Sequence, residues 1–166
     1  MYFLVRVENL EYGISYKSEL WSQGKIITAR IPYTLNEFLI KDIHDTHVKS
    51  TPRNLWFPKH FPQKDAIESV WSQMNKISIC VGEILKPKAK SFGESKCAYE
   101  VFELDFLVTD DFNVFLLEAN DRVGFDPMGS SAEGFDGKKG PWDEEFTAFS
   151  RDYFQWVYNN VIKSFT

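Results

Sequence analysis

Two apolar runs in the second half of the chain decide the fold: YEVFELDFLV at residues 99–108 and VFLLEAN at residues 114–120. Both are rich in the aromatic and branched side chains that pack well on a pleated sheet. The intervening residues 110–113, DDFN, are mostly of the types that favour turns. We therefore predict two strands, near residues 98–109 and 114–120, paired as an antiparallel hairpin.

Three polar side chains within this hairpin form a candidate site. Residues two apart in a strand point to the same face, so Glu118 and Asn120 project together. If a four-residue loop at residues 110–113 joins the strands, Asp105 faces Glu118 directly. A one-residue change in this register would place the two carboxylates on opposite faces.

The residue types at these positions indicate a metal site. Facing carboxylates repel each other unless a proton or a cation lies between them. Two carboxylates and an amide oxygen form the oxygen-only ligand set that Mg²⁺ prefers, and Mg²⁺ often takes its remaining ligands from phosphates. We predict that Asp105, Glu118 and Asn120 bind Mg²⁺ and a nucleotide phosphate. The alternative is an acidic hairpin edge that keeps the sheet soluble.

Helical patterns precede and follow the hairpin. We expect the first helix to begin near Asp65, which with Glu68 forms a capping box, and to end at Pro87. Its apolar stripe comprises Ile67, Val70, Trp71, Met74, Ile77, Val81, Ile84 and Leu85. The last helix is expected from about Pro141, and its apolar face comprises Phe146, Phe149, Tyr153, Val157 and Val161.

The first third of the chain predicts an antiparallel meander. Strand patterns occur at residues 2–7, 14–16 and 27–31, with a turn at Gln23 and Gly24. We expect an irregular connection at residues 36–64 and a loop at residues 121–141. Residues 1–166 are therefore predicted to form one α+β domain, a mostly antiparallel sheet with two main helices packed on one of its faces.

The composition limits the classes of protein that the chain can belong to. Of its 166 residues, 43% are hydrophobic and 16% aromatic, which is typical of a globular domain and excludes a disordered tail. A net charge of −5 does not favour nucleic-acid binding. No apolar run is long enough to span a bilayer, and two cysteines are too few for a disulfide scaffold, so we expect a cytoplasmic protein without membrane contact.

The hairpin also resembles a known family. The sequence FELDFLV at residues 102–108, followed by LLEAN at residues 116–120, resembles the C-terminal end of tubulin tyrosine ligase-like enzymes, which are ATP-grasp ligases. The sequence IHDTH at residues 43–47 resembles the His-Leu-Thr-Asn motif of the same family. This resemblance implies the C-terminal part of an ATP-grasp fold. It implies Asp105, Glu118 and Asn120 as ligands of Mg²⁺ and ATP, and His44 and Thr46 as nucleotide contacts.

The resemblance implies a reaction as well. These ligases use ATP to convert a carboxylate into an acyl-phosphate, which an amine attacks to form an amide. The family adds tyrosine or glutamate to a protein tail such as that of tubulin, which would associate the protein with the cytoskeleton.

The resemblance covers only the later part of the family domain. We therefore expect the ligase to be incomplete as the chain stands, its N-terminal half either supplied by a second chain or left out of this reading frame. A degenerate, non-catalytic ATP-grasp remnant that binds a partner is the alternative, and an acidic metal-binding domain without nucleotide chemistry is a third. We further expect an exposed sheet edge that promotes dimerisation.

Overall fold

A four-stranded antiparallel sheet forms the centre of the protein. The computed structural model describes residues 1–10, 13–26, 55–89, 97–121 and 141–163. The strand order is β2-β1-β5-β6, where β1 is Tyr2–Leu10, β2 is Gly13–Leu20, β5 is Cys97–Val108 and β6 is Val114–Asn120. Two helices accompany the sheet, α1 at Ile67–Ala89 and α2 at Pro141–Val157. The predicted α+β class and antiparallel sheet are confirmed.

The two helices cover opposite faces of the sheet. Phe3 and Val5 of β1 belong to the core formed with α1, whereas Tyr2 packs against Phe149 and Tyr153 of α2. Consecutive strand residues point to opposite faces, so the two cores lie on the two sides of β1. The prediction that both helices pack on one face is wrong. The unbroken apolar run at residues 2–5 is typical of a strand that is buried on both faces.

Helix α1 differs from its prediction at both ends. A 3-10 turn at Lys64–Ala66 precedes it, Asp65 lies inside that turn, and Gln63 at the cap position makes no side-chain cap hydrogen bond. The predicted capping box is therefore wrong. The helix also continues past Pro87 to Ala89. Pro87 lies in the last turn and has no N–H to donate to the helix.

The small residues Ser78 and Gly82 let α1 approach the sheet closely. Val70, Met74 and Ser78 are buried along the face that meets β1 and β2. A Cβ atom added to Gly82 would lie 2.6 Å from Ser18 Oγ, and Tyr16 donates a hydrogen bond to the Gly82 carbonyl at 2.6 Å. The predicted stripe is correct except for Ile84, which is 71% exposed.

The remaining N-terminal elements form a separate two-stranded sheet. Strands β3 (Gly24–Ile26) and β4 (Leu55–Phe57) pair antiparallel. Gly24 therefore begins a strand rather than forming the predicted turn, and part of the predicted irregular connection is extended. The predicted strand at residues 27–31 lies outside the described residues, as does most of the predicted loop at residues 121–141.

Helix α2 continues into a π-helical turn at Tyr158–Ile162. Phe149, Tyr153 and Val161 are buried as predicted, while the side chain of Phe146 lies outside the described part. Arg6 of β1 donates a hydrogen bond to the Asn160 carbonyl in this turn. A cation is favourable there because carbonyl groups at a helix C-terminus carry partial negative charge. No helix in the described ranges is long and apolar enough to cross a membrane.

Candidate functional site

The register of the β5–β6 hairpin places the predicted carboxylates opposite each other. Asp105 pairs with Glu118, and Glu103 pairs with Asn120. The side chains of Leu104 and Phe106 enter the α1 core, so Asp105 lies on the face that α2 partly covers. The predicted pairing of Asp105 with Glu118 is confirmed.

A β-bulge produces this pairing. Val108 pairs with Val114 at the turn, so the connection is one residue longer than predicted. Leu117 is then an extra residue in β6, between Leu116, which pairs with Phe106, and Glu118. With a regular ladder from the same turn, Asp105 would face Leu117 and Glu118 would point towards α1. The bulge returns Glu118 to the face of Asp105, a re-aiming that is common beside functional sites.

The turn of the hairpin is fixed by its own side chains. Phe112 has a φ of 62°, a left-handed conformation that the surrounding hydrogen bonds stabilise. Thr109 N–H donates to the Asn113 carbonyl at 3.0 Å, and Asn113 Nδ2 donates to Asp111 Oδ2 at 2.6 Å. Thr109 Oγ1 also donates to Asp111, and this hydrogen bond holds the pKa of the Asp111 carboxyl below its usual value.

Helix α1 holds the same turn through one side chain. Gln73 Nε2 donates to the Phe112 carbonyl at 2.9 Å, and Gln73 Oε1 accepts from the Val114 N–H at 3.2 Å. Both polar atoms of this amide are therefore bonded to the hairpin backbone. The hairpin that carries Asp105 and Glu118 is thus attached to α1 at its tip.

The three predicted ligands lie together. Asn120 Nδ2 donates to Glu118 Oε1 at 3.1 Å, and Asp105 faces Glu118 across the two strands. Burial raises the pKa of Asp105, and the charge of Glu103 raises it further. The positive amino group of Met1 lowers the pKa of Asp105, whereas hydrogen bonding to Glu118 and the negative charge of Glu118 raise it. These effects together disfavour the ionised form of Asp105 in the folded protein.

Glu103 is a further acid at the site that the sequence prediction missed. It pairs with Tyr2 of β1 and Asn120 of β6, which places the three side chains in one row across the sheet. Burial raises the pKa of Tyr153 on α2 to about 12, and Tyr99 and Glu103 contribute to the rise. The signal was available in the sequence, because Glu103 lies two residues before Asp105 on the same strand.

The donor set is suited to Mg²⁺ by its chemistry. It consists of two carboxylates and one amide, and Mg²⁺ usually needs only one or two carboxylates when water and phosphates complete its shell. Within the described ranges, no cluster of three or more His, Cys, Asp or Glu side chains is arranged to hold a metal ion.

The predicted nucleotide contacts cannot be placed beside this hairpin. His44 and Thr46 both lie outside the described residues. The site is therefore defined by Asp105, Glu118 and Asn120, with Glu103 beside them.

No protein-family model, curated protein or solved structure matches this chain.

Proposed function

We propose that the β5–β6 hairpin binds Mg²⁺ and the phosphates of ATP through Asp105, Glu118 and Asn120. The observation that supports this proposal is the position of the Glu118 carboxylate, between the Asp105 carboxyl group and the Asn120 amide. Two facing carboxyl groups, one of them half-buried with a raised pKa, mark a place where positive charge is favourable.

Each side chain has a distinct role in this proposal. Asp105 and Glu118 supply the negative charge, and Asn120 orients Glu118 through its 3.1 Å hydrogen bond. A divalent cation held there would neutralise charge on phosphate oxygens. His44 and Thr46 are proposed to contact the nucleotide.

We infer from the resemblance that the reaction is carboxylate–amine ligation. The chain would be the C-terminal part of an ATP-grasp ligase of the tubulin tyrosine ligase-like kind, acting in the cytoplasm. It would add tyrosine or glutamate to a protein tail, of tubulin or of another protein, through an acyl-phosphate.

Isothermal titration of the folded chain with ATP, in the presence and absence of Mg²⁺, tests the proposal. We expect Mg²⁺-dependent binding that Asp105→Asn and Glu118→Gln each weaken by at least about tenfold, since each removes a charged ligand. Glu100→Gln is the matched control. Glu100 is exposed on β5 and pairs with Val5 on the α1 face, so it lies on the opposite face of the sheet from Asp105 and Glu118. Absence of binding at millimolar nucleotide, with native circular dichroism, would contradict the proposal.

A non-catalytic binding module is the second candidate function. Leu107, Phe115 and Leu117 of the same hairpin are exposed beside the acids. Exposed apolar side chains that lie together are typical of interaction surfaces. Retention of partner binding by a chain that binds neither Mg²⁺ nor ATP would support this candidate.

A further inference from the structure

The β5–β6 hairpin carries an unusual charge. Residues 97–121 contain seven acidic side chains and no lysine or arginine, whereas the whole chain has a net charge of only −5. The acids are Glu100, Glu103, Asp105, Asp110, Asp111, Glu118 and Asp121. The ion pairs within the described ranges, Lys86 with Glu83 and Arg151 with Asp152, include none of them. Among the described residues, the amino group of Met1 acts on Asp105, and neither of these ion pairs offsets the negative charge of the hairpin.

The same hairpin exposes apolar side chains on one face. Leu107 and Phe115 pair directly across the two strands and are 49% and 53% exposed. Their neighbours Phe106, Val108, Val114 and Leu116 pack in the α1 core, so Leu107 and Phe115 lie on the opposite face, with Asp105. Leu117, the extra residue of the bulge, is 64% exposed. We call Leu107, Phe115 and Leu117 the hairpin patch.

Helix α2 leaves this part of the face open. Its core residues Phe149 and Tyr153 pack with Tyr2 and Val101, which lie further along β1 and β5. The row of Asp105 and Glu118 separates that covered region from the pair of Leu107 and Phe115. The sheet thus has a layer of helix over one part of the face and exposed apolar side chains over the next.

We propose that the hairpin patch docks a basic amphipathic helix of a partner protein. Lysine and arginine side chains would reach the acids on either side, Asp105 and Glu118 at one end and Asp110 at the other, while apolar residues would contact the patch. A second copy of this chain is disfavoured, because it would place two acidic hairpins without lysine or arginine against each other. Addition of a partner strand to β6 is disfavoured too, because the bulge at Leu117 interrupts the ladder at that edge.

This inference does not depend on bound metal or nucleotide, so its test uses EDTA and no ATP. The probes are three synthetic peptides of equal length, labelled with fluorescein. The first combines a leucine stripe at helical spacing with lysine and arginine elsewhere, the second replaces its basic residues with glutamate, and the third carries two central prolines. We expect micromolar binding of the first peptide by fluorescence polarisation, and at least about tenfold weaker binding of the other two.

Variants of the protein connect the binding to the patch. Leu107→Thr with Phe115→Thr keeps β-forming residues at exposed positions and should weaken binding at least about tenfold. Glu118→Gln, which does not alter the patch, should weaken binding and reduce its salt dependence. The control Ile84→Gln removes an apolar side chain that is 71% exposed on α1, and should bind as the wild type does.

Several results would overturn the proposal. Equal binding by the wild type and the threonine variant would show that the basic peptide responds only to net charge. Equal binding of the proline peptide would show an extended occupant. A concentration-dependent dimer in sedimentation, lost in the threonine variant, would show a second copy as the occupant. Failure of all three peptides to bind would also contradict the proposal, without affecting the test with Mg²⁺ and ATP.

Discussion

Asp105 shows how one residue relates the candidate site to the stability of the fold. Burial and the charge of Glu103 raise its pKa, so the folded protein favours the protonated carboxyl group more than the unfolded chain does. The stabilisation is fully present below the pKa of the unfolded chain, about 3.9, and is lost as the pH rises through the higher folded pKa. The ionised carboxylate of Asp105 is therefore unfavourable for the folded protein.

Substitution of Asp105 by asparagine should consequently stabilise the metal-free protein at neutral pH. Asparagine keeps the size of the side chain and can donate a hydrogen bond to Glu118, yet carries no charge. We expect a higher urea midpoint for Asp105→Asn at pH 7 and a difference that shrinks as the pH falls towards 4. Glu100→Gln should leave the midpoint unchanged. A lower midpoint for Asp105→Asn at pH 7 would contradict the assigned electrostatics.

At the scale of elements, the hairpin depends on a side chain of α1. Gln73 satisfies one carbonyl and one N–H of the hairpin turn, with bonds of 2.9 and 3.2 Å. These contacts hold the turn around Phe112, whose left-handed backbone is unfavourable for an aromatic residue. The position of the acids therefore depends on a residue 39 positions away from Phe112 in the sequence.

Removal of the Gln73 amide should destabilise the protein. We expect Gln73→Ala to lower the free energy of unfolding by about 1–3 kcal/mol, because two part-buried backbone groups lose their partner. Urea unfolding followed by circular dichroism measures the change. Ser72→Ala, at an exposed position of the same helix, is the control and should change the free energy by less than about 0.5 kcal/mol. An equal effect of the two substitutions would argue against the role of Gln73.

At the scale of the whole molecule, one sheet joins two apolar cores. The α1 core contains Val70 and Phe3, and the aromatic core beneath α2 contains Tyr2, Trp21 and Phe149. The side chains of Tyr2 and Phe3 are adjacent in β1 and enter different cores. Both cores pack against β1, so loss of one core should also destabilise the other.

The protein should for this reason unfold in a single cooperative transition. We expect Phe149→Ala, which empties part of the aromatic core, to cost about 3–5 kcal/mol and Val70→Ala to lower the same transition. Tryptophan fluorescence, to which Trp21 beside α2 and Trp71 on α1 both contribute, should change together with the helical circular dichroism signal. Phe154→Ala is the matched control, because Phe154 lies on the same helix and is 62% exposed. Separate transitions by the two probes would contradict a shared core.

The candidate site could be predicted in part. Asp105, Glu118 and Asn120 could be selected because acids and an amide interrupt apolar strand runs, and their common face follows from the alternation of side chains. The pairing of Asp105 with Glu118 was predicted with a four-residue loop. The turn is one residue longer than expected, and the extra residue Leu117 shifts the register back by one. Asp105 therefore still faces Glu118.

The sequence by itself determined the two main helices and the strands of the β5–β6 hairpin, because helical and strand periodicity follow from local backbone geometry. It indicated the hairpin, the stripe of α1 and the apolar face of α2. The tertiary structure alone decided which face each helix covers, where β6 accommodates its extra residue, and that Glu103 lies between Tyr2 and Asn120. These features depend on contacts between residues far apart in the chain, such as those of Gln73 with the hairpin turn. Such contacts cannot be predicted from local sequence patterns.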